Sequence, residues 1–265
     1  MVVKNENYEY VVLSGNQTGA LLTEYMLSQL AKNNKMPLNP VVVKTIVTTD
    51  LARKICESYN VEIIDVLTGF KYIGEKIKEF EERKNKNFIM GFEESYGYLA
   101  GTFVRDKDGV IACTLICEMA AFYKSKKMNL YDGLVEIYKK YGYYKEGLLS
   151  ISYAGIQGVQ KIKSIMDSLR NSTPKEICSL KVAVMKDYEM LIEKNFMLGN
   201  EMTMDYPKSN VIQLFLEDGS VITARPSGTE PKIKFYFAVV GVDSLDGDNK
   251  IVMLKGDIMS IINNF

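Results

Sequence analysis

The chain has 265 residues, 47% of them hydrophobic and 25% charged, which is typical of a folded globular protein and, at about 150 residues per domain, predicts two domains. The 33 basic residues balance the 33 acidic ones, which excludes a strong long-range electrostatic field that would attract nucleic acid. The sequence shows neither an apolar run long enough for a membrane span nor a signal peptide, so we expect a cytoplasmic protein. Histidine is absent, which excludes Ser-His-Asp and Cys-His nucleophile systems and HExxH zinc sites.

The first half of the chain alternates apolar runs with amphipathic stretches. The apolar runs predict strands at residues 10–13, 41–47, 61–67 and 88–92. The amphipathic stretches predict helices at residues 20–31, 50–59, 70–84 and 110–123, with Asp50 as the cap of the second. This alternation predicts a layered α/β domain with a mixed, largely parallel sheet covered on both faces.

Ligands of such sheets gather beyond the carboxyl ends of the strands. The segments predicted at those ends all contain polar residues or glycine, and they are Gly15-Asn16, Thr48-Thr49-Asp50, Thr68-Gly69 and Glu93-Glu94-Ser95. A ligand site of the first domain is therefore expected at this edge.

Two of the four cysteines, Cys113 and Cys117, are spaced i, i+4 in a predicted helix. This spacing allows a metal pair. The apolar surroundings favour small buried core residues instead.

The second half of the chain has a different pattern. After a helix at 130–141, a strand is predicted at 147–153 and a helix at 156–169. Asp218-Gly219 lies between runs at 210–216 and 221–224 and is typical of a hairpin. A further strand follows at 232–240, and the last fourteen residues form a terminal helix. These elements predict a smaller α+β domain with an antiparallel sheet, and we place the domains at residues 1–130 and 131–265.

The segment RPSGTEPK, residues 225–232, lies between two predicted strands. Arg225 offers a planar pair of donors, Ser227 and Thr229 offer hydroxyls, and Gly228 allows backbone N–H groups to approach a ligand. These groups suit a phosphate dianion. The same composition is also typical of a surface β-turn, and both interpretations stay open.

A second segment, GFEESYG at residues 91–97, follows a predicted strand. Its two adjacent carboxylates and its serine could bind the hydroxyls of a sugar. A solvated acidic loop is the alternative.

Five segments together, GNQTGALL, TGFKYIGE, GFEESYG, VRDKDG and RPSGTEPKIKF, resemble in order and spacing those of the α-D-phosphohexomutases. The resemblance covers essentially all of the chain and is to the carboxyl-terminal half of a bacterial phosphoglucomutase/phosphomannomutase. It implies that residues 1–130 are the third, sugar-binding domain of that family and that residues 131–265 are its fourth, phosphate-binding domain. Members interconvert hexose 1-phosphate and hexose 6-phosphate, and the GFEESYG type of loop favours glucose, with mannose possible.

The resemblance also implies roles for single residues. Glu93 and Ser95 match residues that bind sugar hydroxyls, and Thr68 with Gly69 matches a second sugar-contacting loop. Lys107 matches a lysine near the transferred phosphoryl group and is the candidate catalytic residue. The loop that holds the nontransferred phosphate is matched by Arg225, Ser227, Gly228 and Thr229.

Two segments of the family have no counterpart in this sequence, namely the phosphoserine loop and the DxDxDR magnesium loop. We therefore expect the chain alone to be inactive and to bind no cofactor, while the full-length enzyme would use Mg²⁺ and a hexose bisphosphate activator. The expected partners are a hexose phosphate and the amino-terminal domains of the mutase. This predicts the substrate-recognition half of a mutase, as a truncated fragment or split gene product; the alternative is a stand-alone phosphosugar- or partner-binding module without turnover.

Overall fold

The computed structural model describes residues 1–263, and the chain divides into two compact units, Met1–Gly142 and Tyr143–Phe265. The division lies after Gly142 rather than at the boundary predicted between residues 130 and 131. The reason is the helix Leu130–Tyr141, which packs on the first helix of the chain and so belongs to the first unit. Within the described residues, no helix is long and apolar enough to cross a lipid bilayer.

The first unit is built on a four-stranded sheet in the order β4-β3-β5-β6. Strands β3, β4 and β5 are parallel, and β6 runs antiparallel to β5. A separate antiparallel ribbon contains β1 and β2. The strands of the unit are β1 (Val2–Lys4), β2 (Tyr10–Val12), β3 (Pro40–Thr45), β4 (Glu62–Val66), β5 (Asn87–Glu93) and β6 (Gly97–Ala100).

Helices cover both faces of this sheet. The helices of the unit are α1 (Gly15–Lys32), α2 (Leu51–Ser58), α3 (Phe70–Arg83), α4 (Gly109–Ser125) and α5 (Leu130–Tyr141). On one face Ile73 and Ile77 of α3 pack on Val41 and Val43 of β3. On the other face α1 approaches so closely that a side chain at Gly19 would collide with the ring of Phe92. The layered α/β architecture with a mixed, largely parallel sheet is confirmed.

The second unit contains an eight-stranded sheet in which every pairing is antiparallel. Its strand order is β11-β10-β9-β12-β13-β14-β7, with β8 paired to β9. The strands are β7 (Tyr143–Ser152), β8 (Glu176–Ile177), β9 (Leu180–Asp187), β10 (Ile192–Asn195), β11 (Asn200–Thr203), β12 (Ile212–Leu216), β13 (Val221–Pro226) and β14 (Lys232–Gly241). Helices α6 (Gly155–Asn171) and α7 (Ser244–Asn263) share an apolar core with the sheet. The predicted α+β unit with an antiparallel sheet is confirmed.

Several predicted elements differ from the structure. The first predicted strand, residues 10–13, lies in the separate ribbon because β2 pairs with β1. The terminal helix begins earlier than predicted, at Ser244, and residues 264 and 265 of that prediction lie outside the described residues. Strands β8, β10 and β11 were not predicted because their sequences are short and rich in polar residues. Strand β9, LKVAVMKD, was also missed, although its apolar residues are typical of a strand.

The interpretation of Cys113 and Cys117 as buried core residues was wrong, because both side chains are exposed. The buried residues of α4 are Ala112, Met119 and Tyr123. The two cysteines therefore lie on the side of α4 that does not contact the rest of the unit.

Lys44 is a cation in the middle of a buried strand. It is 1% exposed, and its Nζ lies 3.1 Å from Asp50 Oδ1 and 2.9 Å from Asp65 Oδ1. Arg53 pairs with both of these carboxylates. The predicted cap at Asp50 was wrong, because its carboxylate binds Lys44 and Arg53 and makes no capping hydrogen bond to α2. Burial acts to raise the pKa of Asp50, and the two cations outweigh it and lower that pKa.

We expect Lys44→Met to lower the free energy of unfolding by about 2 kcal/mol, because it leaves two partly buried carboxylates without their main cation. Urea unfolding at pH 7 measures this loss. The control Lys78→Met removes one partner of an exposed i, i+4 pair on α3 and is expected to cost less than about 0.5 kcal/mol.

The loss of stability in Lys44→Met should become smaller at acidic pH. The lowered pKa of Asp50 means that its pairing stabilises the fold fully above the ordinary value of 3.8, and that this contribution disappears as pH falls further. The difference between wild type and Lys44→Met should therefore shrink below about pH 4. An equal difference at pH 3 and pH 7 would contradict the ionic role of Lys44.

Candidate functional site

The first turn of α1 and the β5–β6 turn meet through their backbones. A side chain at Gly15 would place its Cβ 2.0 Å from the carbonyl oxygen of Glu94, which leaves room only for glycine. The Tyr98 hydroxyl donates a hydrogen bond to the Gly15 carbonyl (2.9 Å), and burial raises the pKa of Tyr98, so this donor keeps its proton. The GNQTG and GFEESYG segments are therefore in contact.

Hydrogen bonds join the end of β3 to the same place. The backbone N–H of Thr49 donates to Asn16 Oδ1 (3.2 Å), and Asn16 is buried. The hydroxyl of Thr45 donates to Glu94 Oε2 (3.3 Å) and lies 2.7 Å from the hydroxyl of Thr48. Two predicted strand-end segments, Thr48-Thr49-Asp50 and Glu93-Glu94-Ser95, thus meet at one edge of the sheet. The prediction for Gly15-Asn16 was wrong, because this segment is the first turn of α1 and follows a strand of the separate ribbon, but it contacts the other two.

Glu93, the last residue of β5, has the least usual environment of the predicted site residues. It is 8% exposed, yet no hydrogen bond or ion pair engages its carboxylate anywhere in residues 1–263. Its carboxyl group lies against Gly97, where a Cβ would be 2.8 Å from Glu93 Oε1. Neither carboxylate oxygen is fully buried, so a ligand can approach both of them. This environment suits a ligand with hydroxyl donors.

Ser95 lies in the turn that follows Glu93. This turn, Glu94-Ser95-Tyr96, joins β5 to β6, and Tyr96 has φ of +66°, as in three-residue hairpin loops. Ser95 is exposed and its hydroxyl has no protein partner among the described residues. The hydroxyl is accessible to a ligand.

Thr68 and Gly69 follow β4, on the far side of β3 from Glu93. Two strand spacings separate the ends of β4 and β5, which is about 10 Å. Gly69 has φ of +121°, which a side chain would strain, and its carbonyl accepts the hydrogen bond that opens α3. Both residues are half-buried at the edge of the sheet.

Lys107 lies beside this loop. Its Nζ is 5.7 Å from the centre of the Phe70 ring and 3.3 Å from Asp106 Oδ1. The segment is held against α3, because a Cβ at Gly74 would be 2.5 Å from the carbonyl oxygen of Arg105. The backbone N–H of Lys107, followed by its ammonium group, lowers the pKa of Asp106. Lys107 is thus an exposed cation next to the Thr68-Gly69 loop.

The phosphate-loop candidate of the second unit is the connection between β13 and β14. Its base is closed by the N–H of Ser227, which donates to the carbonyl of Lys232 (2.8 Å). The N–H of Thr229 donates to Ser227 Oγ (3.4 Å), and the two hydroxyls lie 3.5 Å apart. Nothing lies within 4 Å of a Cβ built at Gly228, so the approach to its backbone is open.

Arg225 lies at the base of this loop and directly opposite Lys234 of β14. Ile222 and Ala224 face the helices, so Arg225 lies on the other face of the sheet. Side chains directly opposite have Cβ atoms about 5 Å apart, and like charges at such positions are destabilising. Neither cation has a carboxylate within ion-pair distance in the part of the chain that the structure describes, although Lys234 is near enough to Glu230 of the loop to help lower the pKa of that carboxyl group, after the larger effect of Lys232. An anion bound here would relieve their repulsion.

Lys234 was not predicted as a site residue. It stands in an alternating strand sequence, KIKFYFAVV, where it looks like an ordinary solvent-facing lysine. Only the β13–β14 register, which places it against Arg225, makes it a candidate phosphate ligand.

A cavity of about 520 Å³ lies on the helix side of the loop. Ser227, Gly228 and Thr229 line it together with Lys163 and Arg170 of α6, whereas Arg225 does not. The loop is therefore accessible from both faces of the sheet. Arg225, the predicted phosphate ligand, lies on the face opposite this cavity.

The described residues do not fit a magnesium site, because they contain no group of three or more His, Cys, Asp or Glu side chains that could hold a metal ion.

Comparison with known proteins agrees with the two-part organisation. Residues 14–141 match the family described as phosphoglucomutase/phosphomannomutase, alpha/beta/alpha domain III. The chain is 36% identical over 246 residues to a phosphoglucomutase of Staphylococcus haemolyticus and 39% identical over 240 residues to one of Staphylococcus aureus. The chain belongs to the α-D-phosphohexomutase family. These alignments cover 92% and 90% of this chain but 43% and 42% of the relatives, so the chain spans about two fifths of their length.

Solved phosphohexomutase structures share the fold. The open form of pp63/parafusin, a phosphoglucomutase from Paramecium, superimposes with a TM-score of 0.65 at 15% identity, over 97% of this chain and 42% of that one. A phosphoglucomutase/phosphomannomutase family protein from Burkholderia thailandensis gives 0.52 at 12% identity, over 98% of this chain and 43% of that one. The match to domain III ends at residue 141, beside the division after Gly142.

We expect Gly15→Ala to destabilise the first unit by about 1–3 kcal/mol, the range for overpacking, because the new methyl group meets backbone atoms that cannot rotate away. Thermal and urea unfolding measure the loss. Gly109→Ala is a matched control, since Gly109 also opens a helix and has open space around it. Equal stabilities of the two variants would show that the contact with Glu94 is not tight.

Proposed function

We propose that this chain is the substrate-recognition part of a phosphohexomutase, which interconverts hexose 1-phosphate and hexose 6-phosphate. The single observation that supports it most is the facing pair of cations, Arg225 and Lys234, which have no carboxylate within ion-pair distance among the described residues, at the base of a loop that contains the hydroxyls of Ser227 and Thr229. A phosphate dianion accepts two parallel bonds from a guanidinium and further bonds from hydroxyl groups. In this proposal the loop holds the phosphate that is not transferred.

The first unit would recognise the sugar. The Glu93 carboxylate accepts hydrogen bonds from two sugar hydroxyls, and Ser95 adds a hydroxyl partner at the same turn. Thr68 and Gly69 contact the sugar from the next loop along the edge. Lys107 supplies positive charge near the phosphoryl group in transit. Glucose is the favoured hexose because the relatives named above are phosphoglucomutases.

The remaining parts of the reaction would lie outside this chain. Phosphoryl transfer needs a positioned nucleophile and a cation that stabilises the developing charge. We propose that the amino-terminal domains of the mutase supply a phosphoserine and Mg²⁺, with a hexose bisphosphate as activator. Inactivity of the isolated chain and a cytoplasmic location stay predictions.

Arg225→Lys should weaken binding of glucose 6-phosphate by about 1.5–3 kcal/mol, roughly tenfold or more, because lysine keeps the charge but loses the planar pair of donors. The Kd is measured by titrating glucose 6-phosphate at fixed ionic strength and following NMR chemical shifts. This method can measure the millimolar Kd values expected for part of a binding cleft. Lys234→Gln should also weaken binding, because one of the two facing cations is lost.

Lys250→Gln is the matched control, since this lysine lies on α7 and donates to the carbonyl of Val240. Its affinity for glucose 6-phosphate should equal that of wild type. Equal affinities for wild type and Arg225→Lys would show that the loop is only a turn.

Glu93→Gln should lower the affinity for glucose 6-phosphate while leaving the affinity for inorganic phosphate unchanged, because only the sugar contacts are altered. The melting temperature should stay the same, since no protein group among the described residues pairs with this carboxylate. A large fall in melting temperature would instead mean that Glu93 is structural. Glu57→Gln, on the exposed side of α2, controls for the loss of one negative charge.

A further inference from the structure

The second unit has another cavity, of about 570 Å³, which the proposed function does not use. It lies beyond the carboxyl end of α6, between the turn that follows this helix and the β9–β10 strand pair. Its volume is within the range of about 300–1,000 Å³ that is usual for small-molecule sites. Arg170 forms the wall between this cavity and the one beside the phosphate loop, since it lines both.

This wall is rigid and its charge is compensated. The guanidinium of Arg170 donates to Asp187 Oδ2 (2.7 Å) and to Asn210 Oδ1 (2.9 Å), and it pairs with Glu189 (2.8 Å). Asp187 is itself buried and accepts two backbone N–H bonds. The guanidinium of Arg170 therefore binds protein groups and is not counted among the groups that would bind a ligand.

The other charged residues of the cavity lining are three lysines and one glutamate. Lys194 pairs with Glu201 on the neighbouring strand at 3.5 Å. Lys181 makes no ion pair among the residues described, but it lies directly opposite Glu176 of β8, and its backbone N–H donates to Glu217 Oε1 (3.1 Å). Lys175 has no carboxylate within ion-pair distance among these residues. Lysines outnumber carboxylates in the lining, which favours an anion near Lys175.

The rim of the cavity is apolar and ordered. Phe196 and Met197, at the tip of the β10–β11 hairpin, line it and are about half exposed, at 47% and 59%. The tip is fixed by Asn195, whose side chain accepts from the N–H groups of Met197 and Leu198 (3.0 and 2.9 Å). The N–H of Phe196 donates to the carbonyl of Ala183 (2.8 Å). An aromatic ring is thus held in solvent beside a group of lysines.

We propose that this cavity binds an anion with a flat aromatic ring, of the class of nucleoside phosphates. The ring would stack on Phe196 and contact Met197, and the phosphates would lie against Lys175 and Lys181. Aromatic stacking and a cluster of cations together favour such a ligand over a sugar phosphate, which offers no aromatic ring. This binding is independent of the mutase reaction and of the loop at Arg225.

The probe is the fluorescent nucleotide mant-ADP, titrated into the whole chain, which contains no tryptophan to interfere. We expect saturable binding with Kd below about 1 mM and displacement by unlabelled ADP. Adenosine and inorganic phosphate, each at the same concentration, should displace it much less, because each supplies only half of the chemistry. Glucose 6-phosphate should not displace it, which separates this site from the proposed substrate site.

Variants locate the site. Lys181→Glu and Lys175→Glu should each weaken mant-ADP binding about tenfold, and Phe196→Ser about threefold or more. Lys208→Glu is the matched control, since it makes the same charge change at an exposed lysine outside the cavity lining and should change Kd less than about twofold. Far-UV circular dichroism and the melting temperature verify folding of each variant.

Three results would overturn the proposal: no saturable binding up to 1 mM, equal weakening by Lys208→Glu and Lys181→Glu, or displacement by glucose 6-phosphate as effective as that by ADP. Absence of saturable binding would mean that the lysines are ordinary solvated surface residues. Equal weakening by the two variants would mean a general charge effect. Equal displacement by glucose 6-phosphate would mean that the site binds any phosphate. Each outcome is readable whether or not the chain acts in a mutase.

Discussion

The candidate sugar site depends on one steric constraint, the backbone contact between the start of α1 and the turn after β5. Because Gly15 has no side chain, the carbonyl of Glu94 can lie where a Cβ would otherwise be. This contact fixes the direction in which the β5–β6 turn leaves the sheet. The positions of Glu93 and Ser95 follow from it, and Tyr98 and Asn16 reinforce it with hydrogen bonds to α1 and to the end of β3.

Two groups of cations in this chain differ in their partners. In the first group, the buried Lys44 is paired with two carboxylates, and these contacts hold the segment between β3 and α2. In the second group, Arg225 and Lys234 face each other with no carboxylate within ion-pair distance among the residues described. Compensated charge of the first kind stabilises a fold, whereas uncompensated charge of the second kind weakens the fold slightly and favours a ligand.

Most of the elements that form the framework could be predicted from sequence because their apolar periodicity is strong. The parallel strands and helices α2, α3, α4 and α5 are close to their predicted ranges, whereas α1 begins five residues earlier than predicted. Strands β10 and β11 could not be predicted, since EKNFMLGNEMT has no alternation that distinguishes it from a loop. A lysine within an apolar run, such as Lys44, indicates that carboxylate partners lie nearby, because a buried cation requires them. The sequence does not show that these partners are Asp50 and Asp65.

The site was predictable only in part, for a geometric reason. Motifs indicated Glu93 and the loop from Ser227 to Thr229, since glycine and polar residues cluster there. The pairing of Arg225 with Lys234 depends on strand register, and the side of the sheet on which Arg225 lies depends on which neighbours face the helices. Neither property is contained in a short motif.

The facing cations on β13 and β14 also bear on which anions the second unit can distinguish. Arginine and lysine side chains are cations throughout pH 5–8, and the chain has no histidine to titrate in that range. A phosphate monoester gains its second negative charge with a pKa of about 6. Two adjacent cations are neutralised by a dianion and only half neutralised by a carboxylate or a phosphodiester. The pair would therefore favour dianions over monoanions. Any change of affinity with pH near neutrality would come from ionisation of the ligand and not from ionisation of the protein.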